Sequence, residues 1–189
     1  MQLIDRDGHV GRELLGRELG LGEGSIKTLV KHLKMNNLAK TSNRGTTMTE
    51  RGQAIFAELT SFLPAETPLP SCSVALGRFN HAILVKELSY AVKSGIEQRD
   101  AAIRIGGTGA TTLLFTDNKF VMPTTAGRTQ DSLRKDPATR SALVRSLEPE
   151  QGDVIIVGSA DIDKRTAEMA AKNAALFTIV DHERHYQTR

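Results

Sequence analysis

From Val10 to Leu19 the apolar residues Val10, Leu14, Leu15 and Leu19 recur at helical spacing, and Gly20-Leu21-Gly22 then breaks the pattern. Gly22 stands where a second helix needs its N-cap, a position that glycine tolerates. That helix is expected from about Glu23 to Asn36. Ile26, Leu29, Val30 and Leu33 form one apolar stripe, while Ser25, Lys27, Thr28, Lys31 and Lys34 project elsewhere. Asn37 suits a left-handed ending. Leu38 to Ser42, the turn Asn43-Arg44-Gly45 and Thr46 to Met48 predict a short hairpin, after which Thr49 caps a helix from Glu50 to Leu59.

Pro64 to Ser71 holds three of the six prolines, which stops the preceding helix and predicts a linker over 64–71. Domains are therefore expected over 1–63 and 72–180, with a polar, frayed tail over 181–189. Beyond the linker, Ser73 to Leu76 reads as a strand, Gly77 to Asn80 as a turn, and the apolar run Ala82 to Val85 as a buried strand. Ser89 to Ser94 fits either loop or helix. Glu97 to Ile105 reads as a helix with Ala101, Ala102 and Ile105 inward, closed by Gly106-Gly107. Ala110 to Phe115 and Phe120 to Met122 are strands joined at Asp117-Asn118. After a polar stretch from Thr124 to Lys135, Asp136-Pro137 opens a helix to Leu147. Asp153 to Val157 is the strongest strand, and Asp161 caps a last helix to about Ala175, with Ile162, Thr166, Met169 and Asn173 along one side. The order β-α-β-β-α-β-α, with a tight hairpin, predicts an antiparallel or mixed sheet with helices on one face: an α+β two-layer sandwich.

The first third of the chain, in its order of helix, turn, helix, hairpin and helix, reads as a winged helix-turn-helix. The phrase from Glu18 to Leu38, completed by Met48-Thr-Glu-Arg-Gly52, resembles prokaryotic winged-helix transcription regulators. The resemblance implies a second helix in the DNA major groove and a hairpin against the backbone or minor groove. Charge agrees: Gly24 to Arg51 holds six basic residues (Lys27, Lys31, Lys34, Lys40, Arg44, Arg51) against Glu50, a local excess of five where the chain totals +3. The expected DNA contacts are Glu23, Ser25, Lys27, Thr28, Lys31, Lys34, Arg44 and Thr46. One element is short. A winged helix needs a helix ahead of Val10, and only Met1 to His9 precede it; Met1 to Ile4 looks like that helix's last turn. A groove lined by Val10, Leu14 and Ile55 is then expected to be closed by residues upstream or by a second subunit.

The segments Arg78-Phe79, Ala82 to Lys86, Gly95 to Ile103, Gly109 to Leu113 and Gly152 to Asp161 look like an uncharacterised archaeal family. That family joins a winged helix to a domain similar in fold to the GAD domain of bacterial aspartyl-tRNA synthetase and of a tRNA-dependent amidotransferase. The resemblance implies architecture and no chemistry.

Composition narrows the classes. Hydrophobic residues at 39% and charged at 25% fit a globular protein, and no apolar run reaches membrane-spanning length, so the expected place is the cytoplasm with no membrane contact. The lone Cys72 excludes an internal disulfide, and the absence of Trp counts against a stacking platform for single strands. Gly106-Gly-Thr-Gly-Ala110 leaves a helix and enters a strand, the reverse of a phosphate loop, and reads as a helix end. Arg78, Asn80, Glu97, Arg99 and Arg104 are candidates for a ligand or interface role, against the reading of surface ion pairs. His182 and His185 lack a third ligand at a recognisable spacing, so no metal and no cofactor are expected. No catalytic signature appears, and an enzyme is the weaker class. The leading expectation is a regulator that binds double-stranded DNA as a homodimer, with a C-terminal domain that dimerises, senses a small-molecule effector, or both. A module of the tRNA or translation machinery, binding RNA or protein, is the alternative.

Overall fold

Val10 is fully buried in extended backbone rather than opening a helix: its N–H donates to the Thr46 carbonyl at 3.0 Å and its carbonyl accepts from the Thr46 N–H at 2.9 Å. The computed structural model describes residues 1–123 and 130–186, with side chains as far as residue 180. Two units divide the chain, Met1–Ser61 and Phe62–Arg189.

The first unit is built from α1 (Gln2–Asp7), α2 (Arg12–Leu19), α3 (Glu23–Met35), the hairpin β1 (Ala39–Ser42) and β2 (Gly45–Met48), and α4 (Glu50–Phe62). Gly20 at φ 56° ends α2, and Gly22, in extended backbone, leads into α3. Asn37 is left-handed at φ 54°, as its residue type suggested. Ser42 faces Gly45 across the hairpin, so Asn43 and Arg44 are the two-residue tip. Ile4, Val10, Leu15, Ile26, Val30 and Met48 form the core, with Leu3, Leu14 and Phe56 packed against it. The groove expected to stand open thus receives Ile4, because α1 is a six-residue helix rather than one last turn. Thr49 ties hairpin to helix: its Oγ1 accepts from the Gly52 N–H at 3.0 Å and donates to the Asn37 carbonyl at 2.6 Å. Residue 52 must be small, since a Cβ there would stand 2.0 Å from the Leu38 carbonyl oxygen.

In the second unit come β3 (Glu66–Leu69), β4 (Phe79–Val85), a 3-10 turn (Ser89–Ala91), α5 (Ile96–Arg104), β5 (Gly109–Thr116), β6 (Lys119–Val121), α6 (Pro137–Leu147), β7 (Val154–Ala160) and α7 (Lys164–Tyr186). The sheet order is β3-β4-β7-β5-β6, every neighbouring pair antiparallel. β7 lies at the centre with all seven residues buried. Ile83, Val85, Val154 and Ile156 face a cluster that includes Ala102 of α5 and Ala170, Ala171, Ala174 and Ala175 of α7. The alternate residues Ala82, Leu84, Ile155 and Val157 face Leu143 and Leu147 of α6.

Several expectations are corrected by this arrangement. Helices cover both faces of the sheet, not one, so the domain has three layers; strands covered on both faces are apolar on successive positions, which is why 82–85 and 154–157 lacked alternation. The proline-rich segment expected as a linker contains β3, an edge strand paired with β4 from Glu66 opposite Ile83 to Leu69 opposite Asn80. Pro68 is tolerated at such an edge. Ser73 to Leu76 forms a turn and irregular backbone rather than a strand, while Phe79 and Asn80 belong to β4. Ile105 is exposed and Gln98 takes the inward place on α5. The cap of α7 is Asp163, whose Oδ1 accepts from the Thr166 N–H at 2.7 Å; Asp161 instead accepts from the Arg78 N–H at 3.0 Å. The buried side of α7 is its alanine stripe, and the helix runs past the end expected near Ala175 to Tyr186; residues 187–189 of the expected tail lie outside the described residues. Asp136 does cap α6, with Pro137 at its first position. Of the polar stretch expected over 124–135, residues 124–129 lie outside the described residues.

Candidate nucleic-acid interface

Helix α3 buries Ile26 and Val30, which leaves Lys27, Lys31 and Lys34 on the solvent side at intervals of four and three residues. They share one rim of a groove of about 860 Å³ that opens between α3 and the hairpin. Thr41, Ser42, Asn43, Arg44, Gly45 and Thr46 form the opposite rim, and Gly11 and Arg12 close one end. The tip is set locally: the Arg44 N–H donates to Ser42 Oγ at 3.2 Å, and Gly45 adopts φ 125°, which only glycine takes without strain.

Five cations therefore border one groove: Arg12, Lys27, Lys31, Lys34 and Arg44. Lys27 pairs with Glu23 one turn earlier at 2.9 Å, and that ammonium holds the Glu23 carboxyl below its ordinary range. Lys31, Lys34 and Arg44 form no ion pair with any carboxylate among the described residues. An unneutralised basic rim of this kind attracts a polyanion and releases counterions on binding it.

The residues expected as contacts divide accordingly. Lys27, Lys31, Lys34 and Arg44 line the groove, and Glu23, Ser25 and Thr28 are exposed on α3 outside it. Thr28 Oγ1 donates to the Gly24 carbonyl of its own helix at 3.0 Å, so its hydroxyl must turn to reach a partner. Thr46 is corrected: at 2% exposure it contributes to the groove wall but is tied to Val10 through its backbone and cannot reach outward. Arg12 was missed, because it stands eleven residues before α3 in the chain and only the pairing of Val10 with Thr46 carries it to the hairpin.

The candidates in the second unit gather no comparable site. Asn80 is buried and fully engaged; its Nδ2 donates to the Gly77 carbonyl at 3.0 Å and its Oδ1 accepts from Ser159 Oγ at 2.7 Å. It pins the sheet end rather than facing a ligand. Arg78 is exposed, with its guanidinium 5.5 Å from the centre of the Phe79 ring, and Arg99 pairs with Asp100 at 2.9 Å. Glu97 is half-buried and Arg104 exposed on α5. Gly106 closes α5 at φ 92°, and a Cβ on Gly107 would stand 2.8 Å from that of Ala170, so the glycine run serves close packing of helix and sheet. Among the described residues no group of His, Cys, Asp and Glu could hold a metal ion, and no helix is long and apolar enough to cross a membrane. The side chains of His182 and His185 lie outside those described.

Residues 1–63 match the family model described as CggR N-terminal DNA binding domain, and residues 76–179 match the one described as Domain of unknown function (DUF4443). Among solved structures the chain is similar to "Hypothetical protein PH0730 from Pyrococcus horikoshii OT3", with 26% identity and a TM-score of 0.63 over 93% of this chain and 85% of that one. No curated protein matches.

Proposed function

The chain belongs to the family described as Domain of unknown function (DUF4443), and on that premise we propose that it is a transcription regulator binding duplex DNA through a winged helix-turn-helix. The observation that carries the reading is the groove between α3 and the hairpin, bordered by five cations. A B-DNA major groove about 12 Å wide admits one helix. With α3 seated there, Ser25 and Thr28 lie toward the base edges, Lys27, Lys31 and Lys34 toward one phosphate strand, and Arg44 at the hairpin tip toward the backbone or minor groove. The match of residues 1–63 to a DNA-binding domain supports the same reading.

One recognition helix buries little surface, and two copies would place two of them on half-sites about 34 Å apart. The second unit is the part that joins the copies, receives an effector, or does both. Titration of duplex DNA and of tRNA into the full chain at matched salt tests the proposal. Duplex binding should weaken with salt at a slope of about −4, the value for four to five neutralised phosphates. Tighter binding to tRNA than to duplex at every salt concentration would favour the translation-linked reading. Thermal shift against metabolites bears on the effector, because a ligand specific to the fold raises its stability by RT ln(1 + [L]/Kd).

A further inference from the structure

The row of α3 that faces farthest from the core carries little that can hydrogen-bond a base. Opposite the buried Ile26 and Val30, the residues Gly24, Thr28, Lys31 and Met35 recur at intervals of four, three and four, and all are exposed. Gly24 offers bare backbone. The Thr28 hydroxyl is spent on the Gly24 carbonyl at 3.0 Å, which leaves its methyl group as the part free to meet a partner. Lys31 has a flexible four-carbon stem that carries its ammonium aside to a phosphate. Met35 ends the row with a thioether. Among the described residues, Leu21 and Met35 are the large apolar side chains of the first unit that stand exposed, at 43 and 70%. Leu21 belongs to the loop before α3, whereas Met35 lines the basic groove beside Lys31, Lys34 and Arg44. Gly24 adds an independent sign. Its φ is not left-handed and a Cβ there would meet nothing within 4 Å, so the fold gains nothing from a glycine that weakens the helix. A surface that approaches α3 closely from outside accounts for the missing side chain.

We propose that Thr28 and Met35 read the 5-methyl groups of thymine in the major groove, with Gly24 letting the start of the helix settle onto the base edges. The proposal rests on the duplex-binding reading above and names what that site selects. An apolar side chain tells thymine from the other bases by its methyl, the apolar group that a base edge presents in that groove. Thr28 and Met35 stand seven residues apart in α3, about 10.5 Å along the helix axis, which matches roughly three base-pair steps of 3.4 Å. The preferred site therefore carries two thymines about three base pairs apart. Uracil presents the same hydrogen-bonding edge without the methyl and is the wrong base for this row.

Selection from a randomised duplex pool with the full chain, followed by resynthesis of the bound sequence with single thymines replaced by deoxyuridine, tests this by anisotropy. Wild-type affinity should fall about fourfold at each of two positions, the value for one methyl left in water. Met35→Ala should be indifferent to uracil at one of them, and Thr28→Ser, which keeps the hydroxyl and loses the methyl, at the other. Gly24→Ala should melt higher than the wild type yet bind duplex more weakly. All three side chains are exposed, so each variant should keep the wild-type circular dichroism, and the wild-type measurement needs no variant at all. Equal wild-type affinity for thymine and uracil duplexes overturns the proposal and leaves duplex binding in place. Variants that keep the full uracil sensitivity at both positions overturn it equally, and a Gly24→Ala protein that binds as tightly as the wild type overturns the close approach. Failure to bind any duplex overturns the regulatory reading and this one with it.

Discussion

Val10 and Thr46 exchange two backbone hydrogen bonds, at 3.0 and 2.9 Å, and this pair brings Arg12 to the end of the groove between α3 and the hairpin. Arg12→Ala should weaken DNA binding at all sequences alike and lower the salt slope by about one, the signature of a lost phosphate contact. Anisotropy titrations at four salt concentrations measure it. An unchanged slope would place Arg12 away from the backbone.

Glu23 is the acid nearest the basic rim and holds Lys27 at 2.9 Å. Glu23→Gln removes a charge that repels phosphate and releases the ammonium, so affinity should rise about three- to tenfold, most at low salt where screening is weakest. Weaker binding in this variant would mean that Glu23 itself meets the bases, as a carboxylate accepting from a cytosine amino group does.

Gly52 sits where a methyl group would approach the Leu38 carbonyl oxygen to 2.0 Å, and both partners are backbone. Gly52→Ala should destabilise the first unit by about 3 kcal/mol through forced displacement of the hairpin from α4. Chemical denaturation followed by circular dichroism reports the loss. A neutral effect would show that the Thr49 cap tolerates a shift of this joint.

Asp136 accepts from the N–H groups of Ser73 and Thr139, each at 3.1 Å, and these bonds hold its carboxyl down to about 2. Unfolded, the same group titrates near 3.9. A depressed carboxylate contributes stability above the unfolded value and loses it as pH falls toward the folded one, so this contribution fades between about pH 4 and 2. Asp136→Asn should melt lower than the wild type at pH 7 and show a shallower decline across that window. Parallel acid profiles for the two proteins would assign the cap no linkage.

The first unit was legible because its signals are local. A glycine pair, an asparagine, a two-residue tip and a capping threonine each act within a few residues, and the structure places the turns where they stand. What escaped was non-local: the burial of Thr46, the arrival of Arg12 and the role of Ile4 all depend on contacts that no short window contains. The second unit was read less well for the same reason. Apolar runs such as Ala82 to Val85 announced strands but not how many faces were covered, and proline in Glu66 to Leu69 concealed an edge strand. On α7 the sequence set Ile162, Thr166, Met169 and Asn173 along one side without saying which side packs; Gly158 brings the sheet so close that the packed side is alanine. The ligand candidates failed at Asn80, where a polar residue with good hydrogen-bonding capacity serves the sheet itself.

The order β3-β4-β7-β5-β6 has a consequence for how the chain acquires its fold. β4 and β5 never touch except through β7, which is made some seventy residues after β4 and forty after β5. A nascent chain emerging at about 5–20 residues per second therefore holds two separate halves, β3-β4 and β5-β6, with bare inner edges for several seconds before β7 arrives to join them. The central strand is the last to be inserted, so synthesis halted before Val154 leaves two apolar edges open to pairing with other chains.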